Sequence, residues 1–439
     1  MTDAIQYFTE KFEAGGAKHS HGEDNAGGKN FNGLRNKAIE NFKKLGIPTS
    51  KHEEWKYTRV GSVFQKDLQF GQPEELTPAE IAPYHLPGAD KAIELYFVNG
   101  FFNARLSTLS TNIVVLPLEA AASSEYASIV SEHLGTSSKY HPDGINALNT
   151  AFVNGGMFIM VKKGKRVEQP IYIYYINDTR SSSTFALPRT LIYVSAGADV
   201  QIAEHYVSMG QLESFTNQVT EVIVEKDAIV NYYKIQNEGS AASQVSTTHF
   251  RQIGKSLTNA TTISLSGAMV RNNLNMVMEA EHGESHMFGL YLLDGKTHVD
   301  NHTVVDNVKP HCFSNELYKG IMDGESIGVF NGKIFVQVDA QKTNAYQTNK
   351  NVLLTDTASV NTKPQLEIFA DDVKCSHGCT VGKLDEEAMF YLRTRGISEK
   401  NAKSLLLHAF AVDILDNIKT EPLRDYVDKL ISARLDFNF

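Results

Sequence analysis

Short apolar runs alternate with turns over most of the chain, from about residue 95 to residue 370. The runs are rich in β-branched and aromatic residues, and Gly, Asn and Asp separate them, as in LYFVNG, MFIMVKKG and QPIYIYYIND. Helical periodicity is almost absent from residues 186–370, so this part of the chain predicts a succession of short β-strands. So many short strands require a sandwich, a barrel or a solenoid to bury their apolar faces.

The stretch KIFVQVDAQ has the alternation expected of a strand with one buried face. Every second position is apolar and would face the core, namely Ile334, Val336, Val338 and Ala340. Burying one large aliphatic side chain contributes about 1.5–3 kcal/mol. Repetition of such faces over many coils could therefore hold the fold together without disulfides.

Turn glycines recur at a nearly constant spacing and predict an internal repeat. One series, with spacings of 28, 28 and 29 positions, contains Gly239, Gly267, Gly295 and Gly324. A second series contains Gly197, Gly254 and Gly283, and its missing turn falls near Lys226. Two strands and two turns per coil of this length predict a flattened β-helix. An ordinary β-sandwich with evenly spaced hairpins is the alternative.

The N-terminal part of the chain shows helical rather than strand periodicity. In the segment 34–45 the apolar residues have helical spacing, at Leu34, Ala38, Phe42 and Leu45. The preceding stretch 15–33 is rich in Gly and Asn and predicts a loop, in which His19 and His21 are expected to be solvated. Trp55, the only tryptophan, is predicted to be a packing anchor for this region.

Helical periodicity returns after Gly382. Residues 384–395 predict one helix closed by Gly396, Ser398 is suited to cap a second, and a third should begin near Pro422. The chain is thus predicted to be mainly β. It divides into an N-terminal helical region (1–90), a β-solenoid core (91–382) and a C-terminal helical region (383–439).

Composition narrows the functional classes. The 439 residues carry a net charge of -9, which argues against a general binder of nucleic acid or of anionic membranes. Three cysteines cannot build a disulfide framework, and the chain opens with a charged amphipathic stretch instead of a secretory signal. Asparagines interrupt the longest uncharged runs, so no membrane span is predicted. We therefore expect a cytoplasmic protein.

The stretch KPQLEIFADDVKCSHGCTVG, residues 363–382, contains the strongest candidate for chemistry. On a strand, Cys375 and His377 would leave the same face, where a thiolate and an imidazole form a soft metal or sulfur site, or half of one. The structural alternative is a buried cysteine beside a histidine whose hydrogen bonds are satisfied. Three dispersed cysteines cannot supply the four thiolates of a usual iron–sulfur site. Another chain, inorganic sulfide or a thiol cofactor would have to complete it.

In the same stretch, the alternation of inward and outward side chains shifts by one residue. If Leu366 and Ala370 face the core, the alternation shifts at Asp371–Asp372, so that Val373 joins the Cys375 face. Either a bulge intervenes there, or Cys375 points partly inward.

A second candidate site lies in the histidine-rich stretch 282–311. Two triplets have the period of a strand, and together they are His282, Glu284 and His286, followed by His298, Asp300 and His302. Histidine with carboxylate is a donor set for zinc or iron, so a cupin-like or solenoid metalloenzyme built on His282, His286, His298 and His302 is the alternative function. The structural alternative is a polar ladder on the outside of a solenoid.

Three stretches resemble a known family. Residues 341–397, which contain ADDVKCSHG, are similar to the C-terminal core of the SufB/SufD scaffold family, which belongs to the SUF system of iron–sulfur cluster assembly. The stretch HVDNHTVVDNVKPHCFSNELYKGIMDGESIGVFNGKI, residues 298–334, and EEWKYT near the N-terminus resemble the same family. The resemblance is strong over residues 190–435 and weak before them, and it favours the SufD branch.

The resemblance implies a right-handed parallel β-helix between helical ends. It implies a non-catalytic scaffold subunit that pairs with a SufB-type paralogue through the last β-helix strands. A SufC-type ABC ATPase would dock on the C-terminal helices and supply the ATPase activity. Homodimerisation through the same edge stays open.

The resemblance also implies the site and its cargo. The histidine of the KCSHG motif, here His377, would help to build a transient iron–sulfur cluster shared with the SufB-type partner, and Cys375 matches the cysteine of the motif. Reduced flavin is implied for the complex, without contacts that map onto this chain. No role carries over to Cys379 or to Cys312.

Overall fold

The computed structural model describes residues 2–19, 31–108 and 110–435. Its helices are α1 (Thr2–His19), α2 (Asn32–Leu45), α3 (Pro78–Ile81), α4 (Leu118–Ala121), α5 (Ala127–His133), α6 (Gly144–Ala151), α7 (Glu386–Thr394), α8 (Glu399–Leu415) and α9 (Glu421–Arg434). Short 3₁₀ segments lie at Glu53–Trp55, Val60–Gln65, Ala82–Tyr84, Ala89–Lys91 and Thr136–Lys139.

Strands occupy most of the chain between these helical parts. The first eight are β1 (Gln69–Phe70), β2 (Ile93–Val98), β3 (Phe101–Phe102), β4 (Ile113–Pro117), β5 (Met157–Val161), β6 (Ile171–Thr179), β7 (Thr184–Ala186) and β8 (Arg189–Val194). The next seven are β9 (Asp199–Gly210), β10 (Ser214–Val224), β11 (Ile229–Asn237), β12 (Ala242–Gln252), β13 (Leu257–Ser266), β14 (Met269–Met278) and β15 (Glu284–Leu293). The last six are β16 (His298–Asn307), β17 (Phe313–Met322), β18 (Ile327–Val336), β19 (Asn344–Leu353), β20 (Ser359–Ile368) and β21 (Lys374–Gly382).

From β10 onward, successive strands alternate between two sheets, and each strand pairs in parallel with the strand two positions earlier. One sheet has the order β20-β18-β16-β14-β12-β10-β8-β5-β4, and the other has the order β21-β19-β17-β15-β13-β11-β9-β6-β2-β3. The register offset is 28 residues between Ser214 and Ala242, and 29 residues between His298 and Ile327. The predicted β-solenoid with two strands per coil is therefore confirmed, with about eight turns, and the sandwich alternative is wrong.

The core is built from inward rows of residues that stack from coil to coil. In one row Met276, Val305, Ile334 and Leu366 follow one another in register. The predicted inward face of KIFVQVDAQ is confirmed for Ile334, Val336 and Ala340, which are fully buried. It is wrong for Val338, which is 65% exposed because β18 ends at Val336 and the chain turns a corner there.

The two glycine series mark the two corners of each coil. Gly295 and Gly324 stand at successive corners before β16 and β18 and have φ of 55° and 63°, a left-handed conformation that favours glycine. The second series has Asp227, with φ 59°, at the corner where glycine is missing. Asp is among the few residues that tolerate this conformation, so the turn expected near Lys226 is confirmed.

The N-terminal region packs on the solenoid through a buried apolar cluster that contains Trp55. Trp55 is buried, its indole N–H donates to Asp143 Oδ2 at 3.2 Å, and the guanidinium of Arg271 lies 3.9 Å from its ring centroid. Its predicted role as a packing anchor is confirmed. The predicted loop 15–33 is wrong for residues 15–19, which continue helix α1, and for Asn32 and Gly33, which begin α2. His21 and the side chain of His19 lie outside the described part of the structure.

Three helices, α4 to α6, interrupt the predicted core segment 91–382. Residues of α6 are buried along its whole length, and Asn149 Nδ2 donates to the carbonyl oxygens of Pro188 and Asn217. A helix that is buried all round has no amphipathic stripe, so its period is hard to recognise in the sequence. The division at residues 90 and 382 stays a prediction.

The C-terminal helices lie on the outer face of the second sheet. The caps agree with the sequence, because Ser398 Oγ accepts from the Asn401 N–H at 3.2 Å and Gly396 has φ 87° after α7. Apolar residues of α8 and α9 share a buried cluster with the outward side chains of β15 and β17, among them Leu290 and Ile321. In the described part of the chain, no helix is both long and apolar enough to span a membrane.

Candidate functional site

The stretch 363–382 forms the last coil of the solenoid. It contains the end of β20, a corner and β21, and both strands are the terminal members of their sheets. Leu366, Ala370, Val373 and Cys375 all pack against the interior cluster. The phase change at Asp371–Asp372 is therefore a corner and the proposed bulge is wrong, whereas the inward direction of Cys375 is confirmed.

Strand β21 places its three sulfur and nitrogen donors in the inward rows. In the register with β19, Cys375 follows Ala345, His377 follows Gln347 and Cys379 follows Asn349. Cys375 is half-buried, whereas His377 and Cys379 are exposed. The exposure has a simple cause, since no described strand pairs with the outer edge of β21. The donors thus lie at an open end of the solenoid.

The thiol of Cys375 is held in its protonated form. Partial burial raises its pKa, and a hydrogen bond with the Ala345 backbone offsets this only in part. A thiol of this kind becomes a good ligand or nucleophile when a metal or a positive charge stabilises its thiolate. The Cys375 thiol and the His377 imidazole therefore require a completing group.

Two buried polar side chains, Gln347 and Glu316, lie in the coils next to the open end. Gln347 Nε2 donates to Glu316 Oε2 at 2.7 Å, and both side chains are buried. Burial raises the pKa of Glu316 to about 7, although hydrogen bonds from Thr303 and Gln347 oppose the shift. The sequence alone does not single out these two residues. The signal would have been polar residues at inward positions, one and two coils before His377.

Asn349, beneath Cys379, belongs to a second buried network. Its Nδ2 donates to the Tyr291 hydroxyl at 3.0 Å, and Asn351 Nδ2 donates to Asn349 Oδ1 at 2.6 Å. Asn351 Nδ2 also reaches the carbonyl oxygen of Thr380 in β21, at 3.4 Å. The open end therefore has a hydrogen-bonded polar base.

The structure separates the four histidines of the alternative metal site into two places. His298 and His302 lie on β16 in one sheet, whereas His286 lies on β15 in the other and His282 at the corner before it. Within the described ranges, no group of three or more His, Cys, Asp or Glu residues could hold a metal ion. The geometry thus gives no support to a single metal centre at these residues.

His298 and His302 have a structural role beneath the N-terminal segment. The His302 ring lies 3.1 Å from Asp300 Oδ1 and 3.5 Å from Glu54 Oε2, and the Thr58 hydroxyl lies 2.9 Å from His298 Nε2. Burial alone would raise the pKa of Asp300, but His302 and Arg271 hold it below its usual value. These contacts fasten the EEWKYT segment to the solenoid.

The other histidines of the stretch 282–311 lie at corners and near the surface. His282 and His311 stand at successive corners with φ near 60°, and their rings stack at a centroid distance of 5.0 Å. His286 Nε2 lies 2.8 Å from Glu284 Oε1. Cys312 is buried beside His311, and burial raises the pKa of its thiol. This arrangement agrees with an outer polar ladder.

Comparisons with known proteins identify a family over most of the chain. The family model described as "SUF system FeS cluster assembly, SufBD core domain" matches residues 175–410, and that of the "SufBD protein N-terminal region" matches residues 18–173. Both ranges together span the solenoid and its N-terminal helical part.

Relatives are similar over nearly the whole chain. An iron–sulfur cluster assembly SufBD family protein of Synechocystis is 30% identical, over 91% of this chain and 90% of its own length. The iron–sulfur cluster assembly protein SufD of Escherichia coli is 29% identical, over 99% and 97%. SufD of Bacillus subtilis is 24% identical, over 92% and 93%. The chain therefore belongs to the SufBD family of the SUF system.

Proposed function

We propose that the chain is a non-catalytic scaffold subunit in iron–sulfur cluster assembly, with its open solenoid end as one half of the assembly site. The observation that carries the proposal is the placement of Cys375 and His377 in adjacent inward positions of the exposed last strand. The nascent cluster is the cargo of this site, and His377 would bind iron or accept a proton during its formation.

The other half of the site would come from a SufB-type paralogue. The outer edges of β20 and β21 carry backbone groups that no described strand pairs, and such edges add strands from a partner readily. Pairing there would bring the partner's donors to the open end and would shield the cluster from water. A second copy of this chain could use the same edge, which makes the homodimer a competing assembly.

The C-terminal helices would dock a SufC-type ATPase, which supplies the ATP hydrolysis. Helix α7 exposes Phe390 and Tyr391, with 71% and 56% of their surfaces accessible. Two adjacent exposed aromatic side chains are typical of a surface that a partner covers. The ATPase would thus bind close to the last coil, which is connected to α7 by a few residues.

The complex would assemble in the cytoplasm and would use reduced flavin. Free cysteines suit a reducing compartment, which supports a cytoplasmic location. Reduced flavin would act on the assembled complex, and we assign no residue of this chain to it.

Anaerobic reconstitution tests the half-site directly. The chain alone and the chain with its SufB-type and SufC-type partners would receive iron and sulfide, and both would then be counted after gel filtration. We expect the isolated chain to retain only background iron and sulfide, and the complex to retain both in comparable amounts. A stable cluster on the isolated chain would contradict the shared site. Absence of a cluster from the intact wild-type complex would contradict the assembly role.

A further inference from the structure

Gln347 occupies the position directly beneath His377. It lies on β19 in the inward row, is 1% exposed, and is the register partner of His377 on β21. Neighbouring parallel strands are about 4.8 Å apart, so the two side chains leave adjacent strands toward the same lumen. Gln347 is therefore a close buried neighbour of His377.

The amide of Gln347 has one end bound and the other end without a partner. Its Nε2 donates to Glu316 Oε2 at 2.7 Å, in the coil below. Its Oε1 is buried and has no hydrogen-bond partner among the described residues. Because the two ends of an amide point in different directions, a nitrogen fixed toward β17 turns the oxygen away from that coil. Leaving a buried acceptor unpaired is destabilising, so a donor is expected here.

Gly332 provides the room for this orientation. It lies on β18, across the lumen, and a Cβ atom there would come within 2.2 Å of Gln347 Nε2. Any side chain at this position would push the amide. The absence of a side chain at residue 332 thus leaves room in the interior for the amide in the position where it reaches Glu316 on the neighbouring strand.

We propose that Gln347 is a positioning residue for His377: its side-chain oxygen accepts the hydrogen of one ring nitrogen and leaves the other nitrogen free for iron. Histidine ligands usually donate their second ring N–H to a carbonyl or carboxylate, which fixes the tautomer and the ring orientation. Glu316 accepts a hydrogen bond from Gln347 and fixes its amide, and the amide oxygen of Gln347 in turn orients the His377 ring. The inference rests on the proposed function of His377 and names the group that makes its imidazole a competent ligand.

The ring of His377 gives the direct test. The full-length chain would carry ¹⁵N-labelled histidine, and His377→Asn would identify the His377 ring signals by their loss. At neutral pH we expect one predominant tautomer in the wild type. Gln347→Leu, which has no acceptor, should give a mixture of tautomers, and Gln347→Glu, which keeps an oxygen there, should restore one tautomer.

Two further variants keep the test decisive. The hydroxyl of Thr362, on the inner side of β20, also has no hydrogen-bond partner among the described residues. Thr362→Val removes this hydroxyl and should leave the tautomer of the His377 ring unchanged. If Gln347→Leu does not fold, Gly332→Ala displaces the same amide from across the lumen and should also give a mixture. The inference is overturned if the His377 ring keeps one tautomer in folded Gln347→Leu or in folded Gly332→Ala. It is also overturned if Thr362→Val changes the tautomer ratio as much as these variants do.

The cluster readout separates this inference from the function that it rests on. On the complex, Gln347→Leu should slow cluster formation about tenfold, the lower end of what loss of such a supporting group costs. If the ring responds as expected but His377→Ala still builds a cluster, the proposed role of His377 fails and the hydrogen bond stands. If His377→Ala abolishes the cluster but Gln347→Leu leaves the tautomer of the His377 ring unchanged, only the positioning role of Gln347 fails.

Discussion

Glu54 Oε1 and Lys333 Nζ are 2.6 Å apart, although 279 positions separate the two residues in the chain. The contact joins the N-terminal EEW segment to β18. One residue earlier, Glu53 Oε1 lies 2.6 Å from Lys363 Nζ on β20. The N-terminal segment thus fastens the last two coils of this sheet, next to the end where the assembly site is proposed.

Glu54→Gln should destabilise the chain by about 1 kcal/mol at pH 7, since a half-exposed, screened pair contributes little more. A hydrogen bond with His302, followed by those from Lys333, holds the pKa of Glu54 below its usual value despite partial burial. A lowered carboxyl pKa contributes stability above the unfolded value, near 4.5, and this contribution is lost as the pH falls through the folded pKa.

Urea unfolding of the wild type and Glu54→Gln between pH 3 and pH 7 measures this difference. We expect it to shrink on acidification below about pH 4.5. Glu40→Gln, at an exposed pair within α2, is the control and should have almost no effect. A Glu54→Gln difference that grows toward low pH would contradict the assignment.

Glu316→Gln should have the opposite dependence on pH. Burial raises the pKa of Glu316 to about 7, so between pH 4.5 and 7 the folded state keeps a proton that the unfolded state has lost. The stability contributed by this group therefore falls as the pH rises through that window. Glutamine does not ionise, so the free energy of unfolding of Glu316→Gln should rise relative to that of the wild type as the pH increases. The relative gain between pH 4.5 and pH 8 should reach about 3 kcal/mol.

Chemical denaturation at a series of pH values checks this prediction. Glu75→Gln, at an exposed ion pair, provides the control and should follow the wild type at every pH. A relative stability of Glu316→Gln that is constant with pH would show that the buried carboxyl does not titrate in this range.

The three cysteines should differ in their reaction with a thiol reagent. Cys379 is exposed, Cys375 is half-buried and Cys312 is buried, and burial raises the pKa of the last two. Because the thiolate is the reactive form, the order of rates should be Cys379, Cys375, Cys312. Mass spectrometry of timed alkylation reports each site.

Addition of the SufB-type partner should protect Cys379 and Cys375 and leave Cys312 unchanged. Equal labelling of Cys379 and Cys375 with and without that partner, in a complex that forms, would place the interface elsewhere. Cys375 would then be an inert structural cysteine.

The repeat was readable from the sequence because each corner imposes a backbone requirement. Gly295 and Gly324 have left-handed φ angles, and their spacing equals the length of a coil. Asp227 takes the same conformation at the one corner of the second series that has no glycine. The point at which each strand ends was harder to foresee. Val338 is apolar but exposed, because the strand ends two residues before it and alternation does not extend into a corner.

The candidate site was only half readable from the sequence. Cys375 and His377 are separated by one residue, so strand periodicity alone brings them to one face. Gln347 and Glu316 lie one and two coils earlier, and only the register of β17, β19 and β21 brings them beneath His377. Local patterns identify a strand, whereas the offset between coils varies, from 29 residues at His298 to 32 at Ile327. Positions that stack cannot be assigned without the structure.

His377→Ala in the complete complex tests the central claim most directly. The variant and its control, Ser376→Ala, whose exposed side chain leaves the opposite face of β21, would be purified with both partner subunits and reconstituted without oxygen. Iron and acid-labile sulfide would then be counted per complex. We predict an intact His377→Ala complex with background iron and sulfide, and a Ser376→Ala complex with wild-type amounts. Wild-type iron and sulfide on the His377→Ala complex would contradict the account.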